Sequence, residues 1–269
     1  MVDVVPHDGV RQWRFSTVPS RLTGYTASAF VTADGTLIDT GIPACARELE
    51  RLLDATTIRA VMVTHHHEDH AGNVELAARR GIPIWMAPQT RPLVTAVAPI
   101  GVYRRLTWRS MRPLRSRVIH HVPDALQPIA APGHCADHHV VWHAASRTLF
   151  SADLFLGVAV RIAHQDEDLW ASLDSLEAAV ALAPARMFCA HRGLVSDPVE
   201  ALQAKLAWTR DLIETIAVRI MRGDTDAQIL KSVMSGESLT GRASFGEYSR
   251  GNFIRAVRAR IVVPGRANA

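Results

Sequence analysis

The segment that most constrains this chain is the run from Thr64 to His70 (THHHEDH), which holds four histidines and two carboxylates. It follows residues 58–63, an apolar stretch typical of a buried strand, and precedes a predicted helix. Alternate residues of an extended segment share a side, so His65 and His67 point together and His66 points away. Neutral imidazoles with a carboxylate suit zinc, and also iron or manganese. The run therefore predicts a metal site at the end of a strand.

More residues of ligand type stand in separate parts of the chain. Asp69 and His70 lie on the turn that follows the two paired histidines, and His134, Asp153 and His191 each follow a short apolar run. Rigid scaffolds place their chemistry on loops at strand ends. A single histidine is most often a core or surface residue. This many ligand types in four segments are hard to explain without a metal.

Other polar residues near these runs do not fit the ligand pattern. Strand or surface positions without a metal are predicted for His66, His120, His121, His139 and His143. His138 is better suited to orient a ligand by hydrogen bonding, which metal sites commonly require. Asp39 suits the same role, and a purely structural role in its turn stays open.

The order of predicted elements is strands, helices, strands, helices, which indicates an α/β fold with two sheets packed inside helices. A chain of 269 residues buries a sizeable core without disulfides. We place a boundary near Asp197-Pro198. Residues 1–197 are predicted to form the catalytic domain, and residues 198–269 a helical C-terminal extension packed on it.

Composition indicates the compartment. The three cysteines, Cys45, Cys135 and Cys189, are odd in number and lack framework spacing, which favours reduced thiols in the cytoplasm. No apolar run reaches the ~18 residues that a membrane span needs, and the N-terminus does not look like a secretory signal. We therefore expect a cytoplasmic protein without membrane contact.

The sequence resembles the metallo-β-lactamase-fold hydrolase superfamily, and its glyoxalase II-like branch in particular. Residues 65–70 match the His-x-His-x-Asp-His signature, and residues 132–138 match a Pro-Gly-His-x-x-x-His stretch. Residues 33–41 resemble the first hairpin of that family. The similarity covers roughly residues 25–195.

The resemblance implies an αββα sandwich with a helical C-terminal extension and two divalent ions per chain at one edge. Zn²⁺ is favoured, with Fe or Mn as alternatives. The implied ligands are, for the first ion, His65, His67 and His134; for the second ion, Asp69, His70 and His191; and for both ions, the bridging Asp153.

The resemblance also implies a reaction, the hydrolysis of a thioester, an ester or a lactone of a small molecule by a metal-bridging hydroxide. Asp69 would act catalytically by orienting that hydroxide. True β-lactamases of the superfamily carry Cys, Ser or His in place of Asp153, which argues against that activity. Residues that hold glutathione in glyoxalase II find no counterpart, so the acyl and leaving groups stay open.

Six arginines accompany Trp108 between residues 104 and 117. This run predicts contacts to an anionic substrate, contacts to RNA, or a solvated helix surface. A metal-dependent phosphodiesterase or ribonuclease is thus an alternative function, although no nucleic-acid-binding module is visible. A persulfide dioxygenase with a single iron is another.

The C-terminal helices leave a homodimer open. Four residues near the last helix are predicted to line a pocket: Tyr248, Arg250, Asn252 and Phe253.

Overall fold

The computed structural model describes residues 1–261, so the last eight residues of the predicted extension lie outside the described chain. The strands of the described residues are β1 Val2–His7, β2 Val10–Phe15, β3 Ala27–Thr32, β4 Thr36–Ile38, β5 Ala60–Val63, β6 Ile84–Met86, β7 Gln127–Ala130, β8 His139–His143, β9 Thr148–Ala152, β10 Ala163–His164, β11 Arg186–Cys189, β12 Gly193–Val195 and β13 Tyr248–Ser249.

The helices alternate with these strands and then dominate the C-terminal part. They are α1 Val18–Thr23, α2 Ala46–Ala55, α3 Val74–Arg79, α4 Thr90–Thr95, α5 Val102–Thr107, α6 Leu169–Ala181, α7 Pro198–Met221, α8 Asp226–Ser232, α9 Leu239–Ala243 and α10 Arg250–Arg260. Among residues 1–261, no helix has both the length and the apolar character to cross a membrane.

Two sheets form the centre of the fold. One has the order β1-β2-β3-β4-β5-β6 and the other β12-β11-β9-β8-β7. Phe30, Ile38 and Met62 of the first sheet pack against Phe150 and Phe188 of the second in one buried cluster. Successive side chains of a strand point to opposite faces, so the neighbours of these residues face outward.

The outward faces of both sheets are covered by helices. Val31, Leu37 and Val61 of the first sheet pack with Leu49 of α2 and Val74 of α3. On the second sheet, strand residues pack with α6 and α7 in a separate cluster: Val140, Leu149, Met187, Leu176 and Leu202. The layers run helix, sheet, sheet, helix, which confirms the predicted αββα sandwich.

The C-terminal helices pack around their own apolar cluster, in which Ile216, Ile229 and Ile254 meet Leu169 at the start of α6. The short strands β10 and β13 pair antiparallel and join this region to the preceding part of the chain. The division at Asp197-Pro198 coincides with the start of α7 and stays a prediction.

Two segments differ from the sequence-based expectations. The hairpin β1–β2 is not among those expectations. β1 is an edge strand in which three of six residues are exposed and none is buried, so its sequence gives little hydrophobic signal. Conversely, the apolar-rich segment 118–122 (VIHHV) predicts a strand from its sequence, and that prediction is wrong. Its residues are largely exposed, and only one bridge, between Ile84 and His120, is formed.

Candidate metal centre

Loops at the carboxyl ends of strands bring the predicted ligands together. The THHHEDH run begins directly after β5, Asp153 directly after β9, and His191 shortly after β11, which is parallel to β9. His134 follows β7 through Gly133, whose φ is +137°. A Cβ at Gly133 would lie 2.2 Å from the Ser172 hydroxyl oxygen, so only glycine lets this loop approach α6.

One group of candidate ligands consists of His65, His67, His134 and Asp153, all buried, with ligand atoms within 4.8 Å of one another. His134 Nε2 lies 2.9 Å from His67 Nδ1 and 3.3 Å from Asp153 Oδ2. His65 Nε2 is buried and has no hydrogen-bond partner among the described residues. The candidate ligand atoms of these four side chains thus lie close together.

A second group consists of Asp69, His70 and His191, also within 4.8 Å. His191 Nε2 lies 3.5 Å from Asp69 Oδ2, and His70 Nε2 lies 3.8 Å from the same oxygen. Asp153 approaches this group as well, with its Oδ1 3.2 Å from the Nε2 atoms of both His70 and His191. Its two carboxylate oxygens therefore face different groups.

The spacing of these atoms fits metal coordination. Ligand atoms bound at about 2.0–2.1 Å in a tetrahedron lie about 3.3 Å apart, close to the separations of 3.2 to 3.3 Å around Asp153. His65 Nε2, His70 Nε2 and Asp153 Oδ1 are buried polar atoms without hydrogen-bond partners among residues 1–261. Burying such atoms is costly unless something satisfies them, and a cation would do so.

Hydrogen bonds to atoms that face away from the candidate metal positions orient the ligands. His70 Nδ1 lies 2.7 Å from Asp39 Oδ2, and His191 Nδ1 lies 2.7 Å from the Thr26 carbonyl oxygen. Both partners only accept, so each Nδ1 carries the proton and each Nε2 is left free for a metal. His138 Nε2 accepts the Asp153 backbone N–H at 3.1 Å. The orienting roles considered for Asp39 and His138 match these contacts.

Burial and nearby charges shift the pKa values of the candidate ligand histidines in opposite directions in the two groups. Burial lowers the pKa of His134 to about 3 and lowers the pKa values of His65 and His67 well below the usual value. Burial also lowers the pKa of His191, but the Asp153 carboxylate outweighs it and raises that pKa to about 8. The same carboxylate raises the pKa of His70 against burial. The three imidazoles of the first group are thus neutral, whereas the imidazoles of the second group lie in a strongly negative field.

The histidines expected outside the ligand set remain outside the two groups. His66 Nδ1 lies 2.7 Å from Asp137 Oδ1, and the His66 backbone N–H donates to Asp137 Oδ2. His139 and His143 lie on β8. Cys135 comes within ligand distance of His66 and His67, but burial raises its pKa and keeps the thiol protonated.

A cavity of ≈ 570 Å³ opens onto both groups and is lined by residues of the core and of the C-terminal segment. Tyr248 and Arg250 line it as predicted. Asn252 and Phe253 do not: the Asn252 side chain donates to the Ala163 carbonyl oxygen at 2.9 Å, and Phe253 is buried in the C-terminal cluster. The prediction for these two residues is wrong because both sit on the inner side of α10.

The arginine run divides into one buried and several exposed residues. Arg104 is buried, donates to both carboxylate oxygens of Glu68, and donates to Glu247 Oε1 at 3.1 Å. It also lines the cavity. The other five arginines of the run do not: Arg105, Arg109, Arg112, Arg115 and Arg117. Only residues 102–107 are helical, so the run has no continuous helix surface.

The ion pair of Glu68 and Arg104 escaped sequence analysis, as did His164, whose ring centroid lies 6.3 Å from that of His67. Glu68 lies within the THHHEDH run, between residues that are candidate metal ligands. The sequence offered one signal: His-Glu-Asp-His places a second carboxylate beside Asp69 that has no ligand role.

Comparisons with known proteins identify the family of this chain. A family model described as the metallo-beta-lactamase superfamily matches residues 24–191. The "Beta-lactamase-like protein 2 homolog" of Caenorhabditis elegans is 26% identical over 238 residues, which cover 76% of this chain and 72% of that protein. The hydroxyacylglutathione hydrolase of Thiobacillus denitrificans is 32% identical over 164 residues, or 60% of this chain and 57% of that enzyme.

Solved structures match the fold. A beta-lactamase domain protein from Burkholderia ambifaria superposes with a TM-score of 0.67 at 18% identity, over 94% of this chain and 86% of that one. A metallo-beta-lactamase from Pontibacter korlensis superposes with a TM-score of 0.61 at 16% identity, over 78% of this chain and 100% of that one. The chain belongs to the metallo-β-lactamase superfamily, and it carries a candidate metal-binding site of histidines and aspartates.

Proposed function

We propose that this chain is a binuclear metal-dependent hydrolase that cleaves a thioester, an ester or a lactone of a small substrate. Zn²⁺ is the proposed metal, with Fe or Mn as alternatives. When bound, the ions supply Lewis acidity at the carbonyl oxygen and an activated water at neutral pH. The proposed holders of the ions are His65, His67 and His134 for the first, Asp69, His70 and His191 for the second, and Asp153 for both.

One observation carries the proposal. Asp153 is buried, with one carboxylate oxygen 3.3 Å from His134 Nε2 and the other 3.2 Å from His191 Nε2. A carboxylate that binds a single ion needs to lie beside only one group of ligands. This arrangement supports two ions over one, and so favours hydrolysis over the dioxygenase alternative.

The protein's own groups would orient the reactants. Asp69 lines the cavity and lies beside His191, so its carboxylate can accept a hydrogen bond from the attacking water. A cysteine nucleophile is not required, because burial keeps the Cys135 thiol protonated and Cys135 does not line the cavity. The chain thus needs no covalent intermediate.

The size of the cavity supports a small-molecule substrate, since typical ligand pockets measure about 300–1,000 Å³, and this one measures ≈ 570 Å³. Similarity to a hydroxyacylglutathione hydrolase supports a thioester. That alignment spans just over half of the enzyme, so glutathione itself is not part of the proposal.

The test is a panel of thioesters, esters, lactones, β-lactams and phosphodiesters, offered to chelated protein and to protein reconstituted with Zn²⁺. We expect turnover of a thioester, ester or lactone that chelation abolishes and Zn²⁺ restores. Turnover of phosphodiesters alone would replace this proposal with the phosphodiesterase alternative. Equal turnover with and without metal would contradict any metal-dependent mechanism.

The remaining expectations about context stay predictions. All three cysteines are free thiols in the structure, which supports the proposed cytoplasmic location. A homodimer, the absence of a membrane partner and, under the phosphodiesterase alternative, a nucleic-acid partner stay predictions.

A further inference from the structure

The cavity carries more positive than negative charge once the candidate metal ligands are set aside. Its lining includes Arg161, Arg192 and Arg250, besides the ion-paired Arg104. The one lining carboxylate that is neither a candidate ligand nor paired to an arginine is Glu167. Arginine presents a planar set of donors that matches carboxylate and phosphate groups.

Two of these arginines lack an anionic partner. Among residues 1–261, no carboxylate lies within ion-pairing distance of Arg161 or Arg192. Arg192 donates through Nε to the Leu156 carbonyl oxygen at 2.6 Å, which fixes the side chain but does not neutralise it. Gly157 packs against its guanidinium, since a Cβ there would lie 2.9 Å from it.

Arg250 adds charge from the opposite segment. Its guanidinium donates to the carbonyl oxygens of Met234 and Gly236 at 2.7 and 2.9 Å, while its buried Nε has no partner among the described residues. Glu237 accepts the Arg250 backbone N–H and not its guanidinium. Arg161 precedes β10 and Arg250 follows β13, so the antiparallel pairing of these strands holds both at one end.

Glu167 does not serve these arginines. Its carboxylate accepts the His164 backbone N–H at 3.1 Å, and burial raises its pKa to about 7. Lys205, which is half-buried, is the basic side chain that interacts with it electrostatically. The arginines therefore face the cavity without a carboxylate of this chain to satisfy them.

We propose that Arg161 and Arg192 form a subsite for an anionic group, a carboxylate or a phosphate, on the substrate of this cavity. This inference rests on the proposed function for the reaction but names which part of the substrate the protein recognises. Arg250 strengthens the local positive potential. The exposed arginines between residues 105 and 117 take no part in the subsite.

The kinetic test uses matched thioesters with and without a charge. In the first pair, the acetyl thioester of thioglycolate is compared with the acetyl thioester of methyl thioglycolate. A further acetyl thioester, made with mercaptomethylphosphonate as the thiol, carries a phosphonate in place of the carboxylate. A second pair, the methyl thioester of glutarate and of its methyl ester, carries the charge on the acyl side. The ratio of kcat/KM between anionic and neutral members is compared across variants, which cancels intrinsic reactivity.

We expect Arg161→Gln and Arg192→Gln each to reduce that ratio about ten- to a hundredfold, as loss of a charge-assisted contact implies, on at least one side of the thioester. Arg51→Gln is the matched control, because Arg51 is exposed on α2 and lines no part of the cavity. An unchanged ratio in both variants, or a loss confined to Arg105→Gln, would overturn the subsite. The carboxylate and phosphonate arms show which anion it prefers.

A binding measurement separates this inference from the reaction itself. Phosphonoacetate is titrated into the metal-loaded protein by calorimetry. We expect a dissociation constant that rises about tenfold or more in Arg161→Gln and Arg192→Gln and stays unchanged in Arg51→Gln. If the wild type hydrolyses no thioester, ester or lactone but shows this pattern, the proposed function fails and the subsite stands. Equal affinity in all four proteins would refute the subsite whatever the hydrolysis assay gives.

Discussion

Arg104→Ala should destabilise this protein far more than the loss of an exposed ion pair. Arg104 donates to Glu68 Oε1 at 2.6 Å and also to Oε2, and the two side chains are only 10% and 3% exposed. Removing one partner of a buried pair leaves an uncompensated charge and costs about 3–5 kcal/mol of unfolding free energy. For a chain of this size, that corresponds to a melting temperature lower by roughly 6–20 °C.

The matched control is Arg210→Ala. Arg210 pairs with Glu177, and those side chains are 53% and 50% exposed. Solvent screens such a pair, so its loss should cost about 0–1 kcal/mol. Both variants break a pair of an arginine and a glutamate, and they differ mainly in the burial of that pair and in the second contact of Arg104, to Glu247.

The assay is urea unfolding of wild type and variants, each loaded with metal and again after chelation. A third variant, Arg104→Ala with Glu68→Gln, removes the stranded charge and should regain part of the loss. The reasoning fails if Arg104→Ala falls within 1 kcal/mol of Arg210→Ala in both metal states.

Three further predictions concern the metal centre. Asp69→Ala or His134→Ala should remove one metal ion and nearly all hydrolysis while the circular dichroism spectrum stays native; retained activity in both would sink the binuclear mechanism. Asp39→Asn should weaken metal binding about 10- to 100-fold in a competition titration with a chelator, because Asp39 fixes His70, whereas the exposed Asp54→Asn should not. Cys135→Ser should keep hydrolysis within a few-fold in a rate assay, since the thiol is protonated; complete loss would indicate a nucleophile.

The sequence indicates the candidate ligands because they follow from local rules. A dense run of metal-binding side chains after an apolar strand is visible without tertiary information, and the later ligands stand at strand ends that periodicity also identifies. The structure brings all seven within two groups that share Asp153.

The surroundings of the site depend on contacts between distant parts of the chain. Arg104 meets Glu68 across 36 residues and Glu247 across 143, and no local pattern indicates either pairing. In the sequence, Arg104 is therefore indistinguishable from the other five arginines of its run. In the same way, Arg161 and Arg250 become neighbours only through the two-residue strands β10 and β13, which are too short to carry a periodic signal.

The central claim is that this chain holds two metal ions. The direct test is elemental analysis of protein purified without a histidine tag, with protein concentration determined by amino-acid analysis. We predict two ions of zinc, or of a similar divalent metal, per chain, falling to one in Asp69→Ala. A single iron per wild-type chain would contradict the claim, because Asp153 would then have no second ion to bind and the dioxygenase alternative would take its place.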